Sequence, residues 1–164
     1  MLTALENKVM EILEVATVTN VSTDVVQGID DLLLDWNQYS DYPRLIVIAE
    51  DYVTLQEQVG GAALQKEYTI NIFLLVYNKN KAELVRQRDV LVERIESTLR
   101  ANKRLDNLAD NNERVYNSYI PRVRVSKSGI NVEVGPDGES STNGEFYGVA
   151  WIELKVDTDR LRIS

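Results

Sequence analysis

Residues 68–104 read YTINIFLLVYNKNKAELVRQRDVLVERIESTLRANKR, and this stretch decides the fold. One face of its first ten residues is apolar at every second position, and the opposite face becomes apolar after Asn71. Such a pattern is typical of a strand in the middle of a sheet. It predicts a central strand that is covered on both sides toward its C-terminal end.

The second part of the stretch has apolar residues at helical spacing within a charged segment. Asn80 stands where a helix N-cap is expected, and Glu83 follows three residues later in a loose capping-box arrangement. The sequence therefore predicts a strand, a tight turn and a long amphipathic helix that packs back on the strand. The predicted apolar stripe consists of Leu84, Val85, Leu91, Val92, Ile95 and Leu99.

Upstream of this stretch, residues 2–15 form one apolar helical face and predict an N-terminal amphipathic helix. Residues 15–26 are rich in β-branched side chains, which fits either a strand or an extended connector. Residues 29–36 mix leucines with three aspartates, as in a short helix or an extended arm. A strand is predicted at residues 44–49, directly after Pro43.

The connection at residues 50–67 contains Gly60 and Gly61, and it either extends two strands into a projecting arm or stays mobile. Residues 105–117 are polar and predict a surface loop with a helical turn. Period-2 alternation predicts three more strands at residues 120–126, 130–134 and 146–158. The expected fold is a single α+β domain over residues 1–164, in which a mixed or antiparallel sheet of four to five strands carries the two helices.

The composition excludes several classes of chemistry. The 164 residues include no cysteine and no histidine, so catalytic triads, thiolate sites and histidine-ligated zinc are absent. Carboxylate pairs are too abundant to be informative, and no nucleotide-binding or metal-binding motif is present. The sequence predicts no catalytic, cofactor-binding or metal-binding residue, no signal peptide and no membrane span.

Charge is unevenly distributed along the chain. The net charge is −8, but residues 79–104 hold eight basic and four acidic residues, which leaves −12 on the remainder. One interpretation is an ordinary solvated helix face. The other is a basic face, with Arg86, Arg88, Arg94 and Arg100, that docks on an acidic face of a second copy.

Aromatic and arm residues supply further interface candidates. Trp36 and Tyr39 precede a predicted strand, and they either anchor a partner or fold back over the sheet. In the predicted arm, the candidates are Tyr52, Leu55, Val59, Gly60 and Gly61. Trp151 is expected to belong to the core.

The order of elements resembles that of the tail terminator (tail completion) proteins of long-tailed bacteriophages. The resemblance covers most of the chain and rests on PRLIVIAED at residues 43–51 and INIFLLVYNKNKAELVRQRDVLVERIESTL at residues 70–99. It implies an α+β subunit of a ring, expected to be hexameric, that sits on the last ring of the tail tube and stops its polymerisation. The implied partners are further copies of the chain, the tail tube protein and the head connector or stopper protein.

The same resemblance implies a location at the tail–head junction of the virion, and in the host cytoplasm during assembly. DNA would pass through the lumen of the ring without specific binding, which an acidic lining favours. The alternatives are another head–tail joining protein, a small metal-dependent hydrolase or nuclease, and a monomeric ligand-binding domain.

Overall fold

A computed structural model of the chain describes residues 1–17, 20–22, 43–58, 62–125, 130–131 and 146–160. Within these residues two helices lie on one face of a seven-stranded sheet, which confirms the predicted α+β class. The helices are α1 (Leu2–Thr17) and α2 (Lys81–Ala101). The strands are β1 (Asn20–Ser22), β2 (Arg44–Gln58), β3 (Ala62–Asn78), β4 (Ala109–Asp110), β5 (Glu113–Val125), β6 (Ile130–Asn131) and β7 (Phe146–Arg160).

The strand order is β1-β2-β3-β7-β5-β4, and β6 pairs with β7. The short β1 runs parallel to β2, and the other described pairings are antiparallel, so the sheet is mixed. Strand β3 is bonded to β2 on one side and to β7 on the other, which confirms the predicted central strand. The described sheet has more strands than the predicted four to five. The difference comes from the short strands β1 and β4, which the sequence pattern does not distinguish from the segments around them.

The main core lies between β3 and the two helices. Helix α1 contributes Leu5, Val9 and Leu13, all fully buried. Burying one such side chain contributes about 1.5–3 kcal/mol. The remaining buried residues of this core come from β2, β3, α2, the turn after α2, β5 and β7: Leu45, Val47, Tyr68, Ile70, Ile72, Leu74, Val76, Leu84, Leu91, Val92, Ile95, Leu99, Leu105, Val115, Ala150, Ile152, Leu154 and Val156.

A second, smaller cluster of buried residues lies on the opposite face of the sheet. It consists of Ile46, Phe73, Leu75 and Val149, with the partly buried Trp151 packed against it. The position of Phe73 and Leu75 confirms that β3 is covered on both sides toward its C-terminal end.

Helix α2 begins as predicted, with one difference in its cap. The side chain of Asn80 accepts hydrogen bonds from the amides of Ala82 (3.0 Å) and Glu83 (3.2 Å). In a capping box, Glu83 would accept from the amide of Asn80. That amide donates instead to Asn78 Oδ1 at 2.9 Å, and the Glu83 carboxylate pairs with Arg86.

The buried stripe of α2 differs from the predicted one at two positions. Val85 is only half-buried, whereas Arg88 is 6% exposed. A Cβ atom at Gly148 would lie 3.6 Å from Arg88 Cδ and 3.6 Å from Leu84 Cγ, so the aliphatic part of Arg88 lies over β7 where no side chain stands. A long charged side chain can therefore take a core position by burying its methylene groups.

The segment predicted as a loop at residues 105–117 is more ordered than expected. Leu105, Asp106 and Asn107 all have positive φ and form a left-handed turn, in which Asn102 and Asp106 exchange hydrogen bonds of 2.8 and 2.9 Å. Asn111 and Asn112, also at positive φ, then join β4 to β5 in a two-residue hairpin. Asparagine tolerates this backbone region, which explains how a polar segment holds a tight hairpin.

The connection between the first predicted strands forms an extended hairpin. Strand β2 continues from Ala49 to Gln58 and pairs with β3 from Ala62 onward, with irregularities in register between Ala49 and Tyr52 and further along. The amide of Ala49 donates to Glu6 Oε2 of α1 at 3.0 Å, so the helix satisfies a backbone group at the first irregularity. Most of the predicted arm therefore belongs to β2 and β3 of the sheet, and β7 pairs with β3 only from Gln65 onward.

Candidate interaction surfaces

The basic face of α2 holds three of its four predicted arginines in solvent. Arg86 and Arg100 have side chains that are 66% and 61% exposed, and Arg94 is exposed as well. Arg88 requires a correction, because its side chain is buried and its Nε lies 3.3 Å from Asp89 Oδ1. A partner surface that docks on α2 would meet the other three.

Ion pairs within the helix neutralise part of this face. Arg86 pairs with Glu83, and Arg100 Nη2 lies 2.9 Å from Glu96 Oε2. Exposed pairs of this kind contribute about 0–1 kcal/mol. Five cations of residues 79–104 make no ion pair in the part of the chain that the structure describes, and all five are exposed: Lys79, Lys81, Arg94, Lys103 and Arg104.

Of the arm candidates, the structure describes two, both on β2. Tyr52 on β2 is 43% exposed, its ring lies 5.3 Å from that of Tyr68, and the Lys66 ammonium stands 4.2 Å from its centroid. Val53 beside it is 62% exposed. Leu55 belongs to β2. Val59, Gly60, Gly61, Trp36 and Tyr39 lie outside the described residues.

The sheet face opposite the helices carries a polar network that the sequence analysis does not find. Tyr119 donates to Glu67 Oε2 at 2.8 Å, and Lys155 donates to Thr69 Oγ1 at 2.6 Å. The ammonium of Lys155 also lies 3.4 Å from Glu153 Oε1 and 3.8 Å from Glu67 Oε1. These residues come from β3, β5 and β7, so only the register of the sheet brings them together.

Two groups on this face of the sheet have raised pKa values, Asp157 and Tyr119. Glu67 and Asp157 are direct cross-strand partners. Burial, followed by the charge of Glu67, raises the pKa of Asp157, while a hydrogen bond from Asn117 opposes the shift. The hydrogen bond to Glu67, followed by burial, raises the pKa of Tyr119 to about 12. Tyr119 therefore stays a hydrogen-bond donor throughout the neutral range.

Trp151 lies on the same face of the sheet as the polar network and packs against the second apolar cluster. Its Nε1 donates to Asn71 Oδ1 at 2.8 Å, which places a polar partner at a half-buried indole. The guanidinium carbons of Arg122 and Arg124 lie 5.9 and 5.7 Å from its ring centroid, within cation–π range. Trp151 therefore joins the apolar cluster to a cationic patch on β5.

Two further observations concern metal binding and membrane spans. Across the described ranges, no group of three or more His, Cys, Asp and Glu side chains is arranged to hold a metal ion. Neither α1 nor α2, the helices that the structure describes, is long and apolar enough to cross a membrane.

Comparison with known proteins finds similarities among solved structures. No protein-family model matches the chain, and no curated protein matches it. Among solved structures, a similar chain belongs to one described as the virion of a native gene transfer agent particle. The two chains are 10% identical with a TM-score of 0.44, and the match covers 94% of this chain and 96% of the other. A similarity of this size does not establish a shared function.

Proposed function

We propose that the protein is a structural component of a phage-like virion, and specifically a tail terminator. In this proposal, copies of the chain form a closed ring, expected to contain six subunits, on the last ring of the tail tube. The ring stops tube polymerisation and offers its free surface to the head connector. No catalytic step is part of this role.

The observation that carries the proposal is the separation of charge on one chain. A closed ring of identical subunits needs two different faces that complement each other on every subunit. Residues 79–104 carry a net charge of +4, and the rest of the chain carries −12. Five exposed cations of this segment have no ion-pair partner within the described residues, so they are available to acidic groups of a neighbour.

The order of elements supports the choice of a tail terminator among virion proteins. The resemblance rests on an N-terminal helix, a strand after Pro43, a long connection, a central strand and a long helix, followed by C-terminal strands. The described elements follow one another in this order. The remaining charge of −12 also suits a ring through which DNA slides, because acidic walls repel phosphate groups.

The first test is the mass of the purified protein in solution, measured by light scattering over a concentration series with and without tail tubes. We expect a species of about six times the subunit mass of 18.7 kDa, either alone or after tubes are added. We also expect tubes that have met the protein to stop growing when more tube subunits are supplied. A strict monomer that leaves tube growth unchanged would overturn the proposal.

Charge reversal on α2 tests the proposed contact. Arg94→Glu places a negative charge on the exposed basic face and should weaken self-association by about tenfold. Val90→Lys is a matched control, because Val90 is also exposed on α2 and the change adds positive charge.

A chain that assembles normally, leaves tubes uncapped and binds a head connector would instead be another head–tail joining protein.

A further inference from the structure

A cleft of about 460 Å³ lies between the C-terminal end of α2 and strand β5. Its apolar lining comes from Leu99, Ile120 and Leu154. Arg100 and Lys103 supply positive charge, and the remaining described lining residues are Ser118 and Tyr119. An apolar surface beside two cations suits a ligand that combines aliphatic groups with carboxylates.

Three residues of the lining are nearly closed to solvent. Leu99 and Leu154 are 1% exposed, and the hydroxyl oxygen of Ser118 is buried. Ile120 is half-buried, whereas the two cations of the lining are exposed. An occupant of the cleft therefore meets chiefly Ile120 and the two cations.

The two cations are available to such a ligand. Lys103 makes no ion pair in the described part of the chain, and its ammonium carries three donors. Arg100 is paired with Glu96 through Nη2, but a guanidinium has five N–H donors and a neighbour's carboxylate can use the others. The charge of the cleft therefore selects an acidic occupant.

We propose that the cleft binds residues 29–36 of a second copy of this chain, IDDLLLDW. This segment combines three aspartates with three leucines, an isoleucine and a tryptophan, which matches the cations and the apolar lining of the cleft. The inference rests on the proposed ring, for which it names the contact between neighbouring subunits.

The positions of the two partners in the fold support a contact between subunits. The acidic segment belongs to the connection between β1 and β2, and these two strands form one edge of the described sheet. The cleft is formed at β5, on the other side of β3 and β7. A contact from one edge of a subunit to the opposite side of the next is heterologous, and such contacts form a ring when the rotation between neighbouring subunits closes.

The direct test uses a fluorescent peptide of residues 27–40 and the full-length chain. Anisotropy should show saturable binding that Lys103→Glu weakens by about tenfold, whereas Arg104→Glu, an equal charge change outside the cleft, leaves it within about twofold. Replacing the three aspartates of the peptide by asparagine should weaken binding to a similar degree. A peptide that binds equally well without its charges would exclude this occupant.

Two full-length variants test the same contact in the assembly. Lys103→Glu should weaken self-association, and the double variant Asp31→Lys, Lys103→Glu should restore part of it. A double variant that associates no better than Lys103→Glu alone would contradict this contact.

The outcomes separate this inference from the proposed function. If rings form and cap tubes but none of the cleft variants changes assembly, the cleft assignment is wrong and the terminator proposal stands. If the chain neither assembles nor caps tubes, yet the peptide binds and Lys103→Glu abolishes binding, the terminator proposal fails and the cleft assignment stands. An unlabelled peptide of residues 27–40 that fails to bind or compete at any concentration would overturn the inference.

Discussion

Asp157 and Glu67 place two carboxylates opposite each other on neighbouring strands, and we expect this arrangement to lower the stability of the fold at neutral pH. Because the folded chain raises the pKa of Asp157, it binds that proton more tightly than the unfolded chain does. Stability linked to this group is therefore present at acidic pH and is lost as the pH rises through the raised pKa. Asp157→Asn should increase the free energy of unfolding at neutral pH by about 0.5–1 kcal/mol.

Urea unfolding at neutral pH and at about pH 3.5 checks this prediction, because the gain should disappear below the ordinary aspartate pKa of about 3.9. Asp159→Asn is the control. Asp159 lies on the same strand but pairs with Arg114 at 2.9 Å, so its loss should be neutral or destabilising by up to about 1 kcal/mol. A similar gain in stability in both variants would show that it comes from the lower net negative charge of the protein and not from removal of the contact with Glu67.

The residue scale also shows where sequence reasoning stops. Periodicity places the apolar side chains of β3 and, except for Val85, those of α2 correctly, because hydrophobic spacing depends on a single element. It assigns Arg88 to the surface, since its charge is visible and its packing over Gly148 is not. The cleft is equally hidden, because it joins Leu99, Ser118 and Leu154 from three elements that are far apart in the sequence.

At the scale of the element, the N-terminus of α2 depends on one side chain. Asn80 satisfies two backbone amides that the helix itself leaves without partners. Asn80→Ala should reduce the free energy of unfolding by about 1 kcal/mol, and Asn80→Asp should retain most of it. Thermal and urea unfolding of both variants measure the difference. Equal losses in the two variants would mean that the cap contributes little.

The hairpin between β4 and β5 provides a second test at this scale. Asn112 has a φ of 65°, a backbone conformation that glycine adopts without strain and that β-branched residues disfavour. Asn112→Gly should leave the free energy of unfolding within about 0.5 kcal/mol of the parent, whereas Asn112→Val should lower it by about 1–2 kcal/mol. A loss of the same size in both variants would contradict this interpretation.

Sequence patterns predict long elements better than short ones for a physical reason. Strand β3 and helix α2 each repeat their polarity pattern over many residues, so their type is clear. Strands β1 and β4 have three and two residues, which is too few for a period to show. Their existence depends on pairing with β2 and β5, and that information belongs to the assembled sheet.

At the scale of the whole molecule, charge separation predicts how assembly responds to salt. If neighbouring subunits meet through the basic face of α2 and acidic segments, screening should weaken the contact. Raising the salt concentration from about 50 mM to about 500 mM should lower the association constant, while the unfolding free energy of the monomer changes little. Light scattering and urea unfolding at matched salt concentrations measure the two effects. Association that strengthens with salt would indicate an apolar interface.

The position of β3 has a mechanical consequence. Its residues are bonded to β2 or β7 along almost the whole strand, and its pairing with β7 alone runs from Gln65 to Asn78. Antiparallel ladder bonds lie perpendicular to the strands. A pull along β3 would therefore load many of these bonds together in shear, instead of opening them one after another. A subunit held at the two ends of this strand would transmit tension through its centre and would resist stretching more strongly along β3 than across the sheet.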